Sequence, residues 1–186
     1  MRILFISNLY PNPLFPTMAS FNRQQIQALA QHAEIEVVAP VPWTACLKKS
    51  IKPACYTADG STVHHPVYYY TPRFFREQYG WFFYHSIKAT VARLLEKNSY
   101  DIIYSSWLYP DAWAAARLAQ QYQVPLFVKV HGSDVNLLQP GTVITRKSLF
   151  VVEQAQKVLC VSRALKERLI FLGAPEQKLE VVYNGV

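Results

Sequence analysis

Glycine is scarce in this chain of 186 residues, six in all, and none falls between Asn8 and Ser20, directly after the first apolar run. A dinucleotide-binding turn needs glycines there so that backbone can approach a pyrophosphate, and neither GxGxxG nor GxxxxGK[ST] occurs. Dehydrogenase-type and Walker-type phosphate cradles are thereby excluded. Cysteine is equally sparse. Cys46, Cys55 and Cys160 make an odd count without CxxC spacing, which argues against a disulfide framework and a zinc site. Cys160 sits in an apolar run and reads as a small core residue, whereas Cys46 and Cys55 fall in a proline-containing loop. No stretch reaches the ~18 uninterrupted apolar residues of a membrane span. Met1–Ser7 is too short and too weakly basic for a signal peptide, so the expected location is cytoplasmic. Long runs of one charge are missing too. The excess of 19 basic over 12 acidic residues, +7, is dispersed in pairs such as Lys48-Lys49 and Arg146-Lys147. A basic balance points to polyanions, phosphorylated ligands or anionic membrane; without a basic run or a recognisable motif, no nucleic-acid partner is expected.

Hydrophobic residues make up 51% of the chain, enough for a substantial core. Short, uniformly apolar runs alternate with amphipathic segments. Strands are predicted at Arg2–Ser7, Glu34–Pro40, His65–Thr71, Asp101–Ser105, Pro125–Val130, Lys157–Val161 and Leu179–Tyr183. Between them helices are predicted at Ser20–His32, with Ser20 as N-cap, and at Arg73–Asn98, Asp111–Tyr122, Val143–Gln156 and Ser162–Leu172. Val41–Pro66, preceded by Pro40 and holding prolines at 42, 53 and 66, reads as one long connection. Strands without polar alternation belong to a parallel sheet covered on both faces. The expected fold is α/β, a Rossmann-like, doubly wound, mostly parallel sheet.

Ligands of such sheets bind outside the carboxyl ends of the strands, and three loops there carry chemistry. Asn8–Ser20 leads into a helix whose first N–H groups attract anions. His131-Gly132-Ser133-Asp134 follows a strand, and its glycine lets backbone and imidazole face one ligand. Trp107, Tyr109 and Asp111, after the preceding strand, combine aromatic faces with polar groups, as sugar rings require. The alternative, Asp111 capping a helix on which Trp107 packs, stays open. Tyr68–Lys88 holds ten aromatics interleaved with cations. Arg73, Phe74, Arg76, Trp81 and Phe82 within it suit a helix lying in an anionic membrane interface.

Four stretches, RILFISNLYPNP, FNRQQIQALAQHAEIEVVAPVP, WLYPDAWAAARLA with PLFVKVHGSDVN, and LCVSRALKERLIFLGAPEQKLEVVYNGV, together resemble glycosyltransferase family 4. These are retaining enzymes of GT-B fold, and the likeness is to the N-terminal domain of the branch that builds bacterial surface polysaccharides. The resemblance implies that residues 1–186 form the acceptor-side half of a transferase, and that the donor-binding C-terminal domain lies outside this chain, which ends on a strand and Asn184-Gly185-Val186. It implies a nucleotide sugar as donor and a glycan or lipid-linked acceptor, with no metal or other cofactor required. His131 matches the family's histidine facing the donor sugar, Asp134 the aspartate of the same motif, and Ala19-Ser20 the loop facing the diphosphate. Two positions depart from the family pattern: Ala19 and Ala112 stand where glycine is usual.

Overall fold

The computed structural model describes residues 1–49, 56–58 and 60–185. Its main sheet has eight strands in the order β10-β9-β8-β7-β1-β2-β5-β4. They are β1 (Arg2–Ile6), β2 (Glu34–Val38), β4 (Tyr56–Ala58), β5 (Ser61–His64), β7 (Ile102–Ser106), β8 (Leu126–Val130), β9 (Lys157–Cys160) and β10 (Leu179–Val181). All neighbours pair in parallel except β4, which is antiparallel to β5. The short β3 (Val41–Pro42) and β6 (Val67–Tyr68) form a separate parallel pair. The helices are α1 (Ser20–Leu29), α2 (Trp43–Lys49), α3 (Tyr79–Lys97), α4 (Trp113–Tyr122), α5 (Ser133–Asn136), α6 (Val143–Gln154) and α7 (Arg163–Phe171).

The unbroken apolar run of β1 follows from burial on both sides. Leu4 and Ile6 join the large core under α3, α4, α6 and α7, and the alternate residues Ile3 and Phe5 join a smaller core under α1. A strand's side chains point alternately to opposite faces, so a strand covered twice has no polar positions to offer. Helix boundaries are chemical as well. The Thr142 side chain accepts from Thr145 N at the start of α6, and Ser162 accepts from Leu165 N at the start of α7. After α7 the chain turns through Gly173 at φ 101°.

The doubly wound expectation holds, with three corrections. The connection 41–66 is not a plain loop. It carries β3, α2, β4 and β5, and β5 extends the main sheet beside β2. Its Ser-Thr-Val-His sequence alternates buried and half-buried residues, which a search for continuous apolar runs passes over. Cys46 accordingly lies on α2, half-buried, not in a loop, and Cys55 lies outside the described residues. The strand predicted at 65–71 shrinks to Val67–Tyr68 in the small sheet. Finally, the helix predicted from Arg73 starts only at Tyr79, after a 3-10 turn at Arg76–Gln78. Arg73 (φ 70°) and Phe75 (φ 54°) occupy left-handed backbone, which a right-handed helix cannot contain.

Those two residues leave Phe74 and Phe75 exposed, at 70% and 63%, between the exposed Arg73 and Arg76. Phe82, expected at the same surface, instead packs against the large core, because α3 turns that face toward the sheet beside Phe83. Trp81 remains exposed. Among the described residues no helix is long and apolar enough to cross a membrane.

Candidate functional site

From β1 the strand order runs outward through β2 to β4, then reverses through β7 to β10. The reversal places β1 beside β7, and a crevice opens at such a point because the flanking loops diverge. Asp111 crosses it. Its Oδ2 accepts from Ser7 Oγ at 2.9 Å and from Asn8 N at 3.0 Å, while Ser7 Oγ also lies 3.1 Å from the Ser106 carbonyl. Asp111 is fully buried, and its Oδ1 has no hydrogen-bond partner among the described residues. Burial, more than the nearby Asp134 charge, pushes its carboxyl up to about 7 against the pull of the Asn8 and Ser7 donors. Asp111 therefore pins the first loop to the third from below, and it does not line the open cavity above.

His131 follows β8. Asp134 Oδ1 accepts from His131 N at 3.1 Å and Gly132 N at 2.8 Å, and Oδ2 accepts from Leu108 N at 3.3 Å. Gly132 has φ 151° and ψ −83°, backbone that a Cβ disfavours. The imidazole Nε2 lies 2.9 Å from Ser106 Oγ, and the Phe21 ring stands 4.6 Å away, centroid to centroid. Burial, aided by the positive Lys129 two residues earlier, depresses His131 to about 4, so the ring is neutral at pH 7. Ser106 and Phe21 are partners that no single-loop motif reveals. They come from β7 and α1, and only the strand order brings them to His131.

Through Phe21, the start of α1 shares this rim. Ser20 opens the helix as its first residue, not as its cap. The cap position belongs to Ala19, which has no hydroxyl and adopts left-handed backbone at φ 49°, ψ 49°. That conformation costs a non-glycine residue about 1–2 kcal/mol. Alanine at this position thus keeps the backbone shape that glycine takes freely. Asn22 steadies the turn by donating from Nδ2 to Leu9 O at 2.7 Å. The first turn of α1 holds no acidic residue, which leaves its N–H end electropositive.

Beside the rim lies a cavity of about 620 Å³ whose lining includes Trp107, Tyr109, Ser133, Asp134, Gln139 and Thr142. Trp107 and Tyr109, singled out from sequence, therefore share one wall, whereas Asp111 lies beneath it. Trp107 sits at φ 81°, a costly position for a bulky residue. Tyr109 is fixed by its hydroxyl, which donates to Glu77 O and accepts from Gly80 N at 2.8 Å. Gly80 has no room for more: a Cβ there would come within 2.6 Å of Trp113 Cε3 and 2.8 Å of Tyr109 Cε2. Among the described residues no group of three or more His, Cys, Asp or Glu is placed to hold a metal ion.

The comparisons with known proteins agree with this architecture. The chain is 28% identical over 181 residues to the putative teichuronic acid biosynthesis glycosyltransferase TuaC of Bacillus subtilis (strain 168), a match covering 90% of this chain and 46% of TuaC. The chain thus spans about half the length of that relative. Among solved structures, sucrose-phosphate synthase from Thermosynechococcus elongatus superposes over 100% of this chain and 90% of its own, with TM-score 0.70 and 14% identity. Anabaena HepE in complex with UDP-glucose superposes over 100% of this chain and 44% of its own, with TM-score 0.65 and 17% identity. Likeness at those identities concerns the fold, which is that of one GT-B half. The family model of Glycosyltransferase Family 4 matches residues 18–186, nearly the whole chain from the start of α1 onward, and the chain belongs to that family.

Proposed function

We propose that residues 1–186 are the acceptor-side, N-terminal half of a retaining glycosyltransferase. It moves a sugar from a nucleotide-sugar donor to a glycan or lipid-linked acceptor in surface-polysaccharide synthesis. The observation that carries this reading is the His131 loop. A neutral imidazole, its backbone fixed on Asp134 and its ring held by Ser106, shares a rim with the electropositive start of α1. Departure of a nucleotide diphosphate from an oxocarbenium-like sugar builds negative charge on phosphate. Oriented donors that need no rearrangement stabilise such charge best. The acceptor sugar lies against Trp107 and Tyr109 in the adjoining cavity, its polar edges toward Ser133, Gln139 and Thr142. A companion C-terminal domain supplies the remaining donor contacts, and its closure excludes water that would hydrolyse the donor. The reaction on this reading calls for no resident metal or cofactor.

A GT-B epimerase, the other enzymatic reading of this fold, needs carboxylates free to exchange protons in the cleft. Asp111 is sealed below the floor and both oxygens of Asp134 are engaged with backbone N–H groups, which favours transfer. The test uses the complete protein, isotope-labelled UDP-glucose and then other nucleotide sugars, and membrane lipid extract as acceptor. Label should enter a glycosidic product, with one-bond C–H couplings reporting the donor's anomeric configuration. Inversion, or free sugar as the sole product, overturns the reading.

The exposed Phe74 and Phe75, flanked by Arg73 and Arg76, support peripheral contact with an anionic membrane. Flotation should show binding to phosphatidylglycerol vesicles that weakens with salt and is lost on replacing both phenylalanines by Ser. Equal flotation of the double variant removes this contact.

A further inference from the structure

On the outer side of α3, α4 and α6 lies a second cavity, of about 300 Å³, lined by Trp81, Trp113, Arg117, Arg146, Lys147 and Phe150 among others. It has an unusual electrostatic make-up. The Arg117 guanidinium lies over three rings, with Cζ 5.7 Å from the centroid of Trp81, 5.1 Å from Trp113 and 5.0 Å from Phe150. Lys147 Nζ lies 5.2 Å from the Trp113 ring and 5.5 Å from that of Tyr109. Among the described residues no carboxylate is in ion-pair contact with Arg117, Arg146 or Lys147. Arg146 donates to the Gly141 carbonyl, at 2.7 Å, and Lys147 to that of Glu77. Arg117 has ring contacts and, among the described residues, no hydrogen-bond acceptor.

Three cations thus gather at one cavity with no carboxylate in direct contact among the described residues, the Glu77 carboxylate acting on Lys147 from farther off. Lys147 feels its surroundings in order of size: burial lowers its ammonium most, the Glu77 carboxylate raises it, and the Arg117 charge lowers it by less. The aromatic walls explain how the cations are oriented. Cation–π contacts are worth roughly 0.5–1 kcal/mol at exposed sites, enough to aim a guanidinium but not to neutralise it. Its planar fork of N–H donors is left available, and that fork matches the paired oxygens of a phosphate. Two flanking cations suit a group bearing more than one negative charge. The location narrows the source. Tyr109 lines the 620 Å³ cavity and Lys147 the smaller one, so the stacked Tyr109–Lys147 pair is the partition between them.

We propose that this cationic, tryptophan-walled cavity binds the diphosphate ester through which the acceptor glycan is joined to its carrier, while the sugar to be extended occupies the neighbouring cavity. The proposal rests on reading that neighbouring cavity as the acceptor site. It assigns to Arg117, Arg146 and Lys147 the task of selecting acceptors that carry a diphosphate over neutral glycans.

The test is direct binding to this chain, followed through indole N–H resonances. Inorganic diphosphate and farnesyl diphosphate should shift the Trp81 and Trp113 signals saturably. The Trp43 indole, which donates to Tyr70 O at 2.8 Å, should stay unmoved, and farnesol, lacking phosphate, should shift none. Arg117→Met with Lys147→Met should weaken diphosphate binding at least tenfold with the melting temperature kept, and Lys147→Gln alone should weaken it by a smaller factor. Unmoved Trp81 and Trp113 signals, or unaltered affinity in the variants, overturn the proposal. So does a shift produced by dihexanoyl phosphatidylglycerol but not by either diphosphate, which would make the cavity a membrane-headgroup site. Because the readout is binding and not turnover, its failure leaves transfer chemistry at His131 untouched. Failure of transfer with diphosphate binding intact would fall on the functional reading instead.

Discussion

Replacing His131 by Ala in the complete protein is expected to lower kcat/KM by about a hundredfold or more, the usual cost of removing one preorganised donor at developing charge. The ring is held on three sides: Ser106 Oγ at Nε2, the Phe21 face, and a backbone fixed by Asp134. On the proposed transfer, an imidazole so restrained would not have to find its geometry as the sugar–phosphate bond breaks. The loss should fall mainly on kcat, since the interaction strengthens as charge develops. The pH profile separates this role from a structural one. With its titration depressed to about 4, His131 remains neutral throughout the physiological range. Activity should therefore show no acid limb near the ordinary histidine value of about 6.5. An unchanged rate in His131→Ala would make the ring a packing element. An acid limb near 6.5 that vanishes in the variant would show a ring that titrates normally and contradict its burial.

Asp111→Asn should gain stability over the parent chain as pH rises, by an amount of order 4 kcal/mol between about pH 4 and pH 7. The sign follows from proton binding. A carboxyl whose folded titration point lies at about 7, above its unfolded value near 4, keeps its proton longer in the folded state. The folded protein then holds more protons than the unfolded one across that window, so its stability falls as pH rises and levels off above 7. Asn cannot ionise and has no such slope. The comparison is best made as a difference between parent and variant urea melts at several pH values. His131 works in the opposite direction, because a depressed imidazole makes stability rise as pH climbs through about 4 to 6.5. The parent curve alone therefore shows the two slopes partly cancelled. A parent–variant difference that stays constant with pH would mean that Asp111 is ionised on folding like any surface carboxylate.

The parallel strands were legible because burial on both faces leaves runs such as RILFI without polar positions, and the loops at their carboxyl ends followed from the fold. The edge of the sheet was not legible. Ser61–His64 packs only every other side chain, and its polar residues resemble the proline-rich connection around them. The start of α3 was misplaced for a different reason. Helical periodicity registers side chains, whereas the left-handed backbone at Arg73 and Phe75 that delays the helix leaves no mark on hydrophobic spacing. Of the candidate site, His131, Asp134, Trp107 and Tyr109 could be picked out by position alone. Ser106 and Phe21 could not, since their roles depend on neighbours 25 and 110 positions away in sequence. Asp111 was noticed as a polar residue in a functional loop. That its carboxylate would be drawn inward to hold Ser7 and Asn8 depends on the adjacency of β1 and β7, which only the strand order supplies.

Gly80 has a consequence for how the protein can change over generations. With no space for even a methyl group against the rings of Trp113 and Tyr109, positions 80, 109 and 113 constrain one another as a set. A larger residue at 80 requires a smaller or tilted ring at one of the other two. Tyr109 is also the partition between the two cavities, so an innocuous-looking exchange on a helix would reshape both at once. Drift at this one glycine is thus tied to a change in the shape of both cavities.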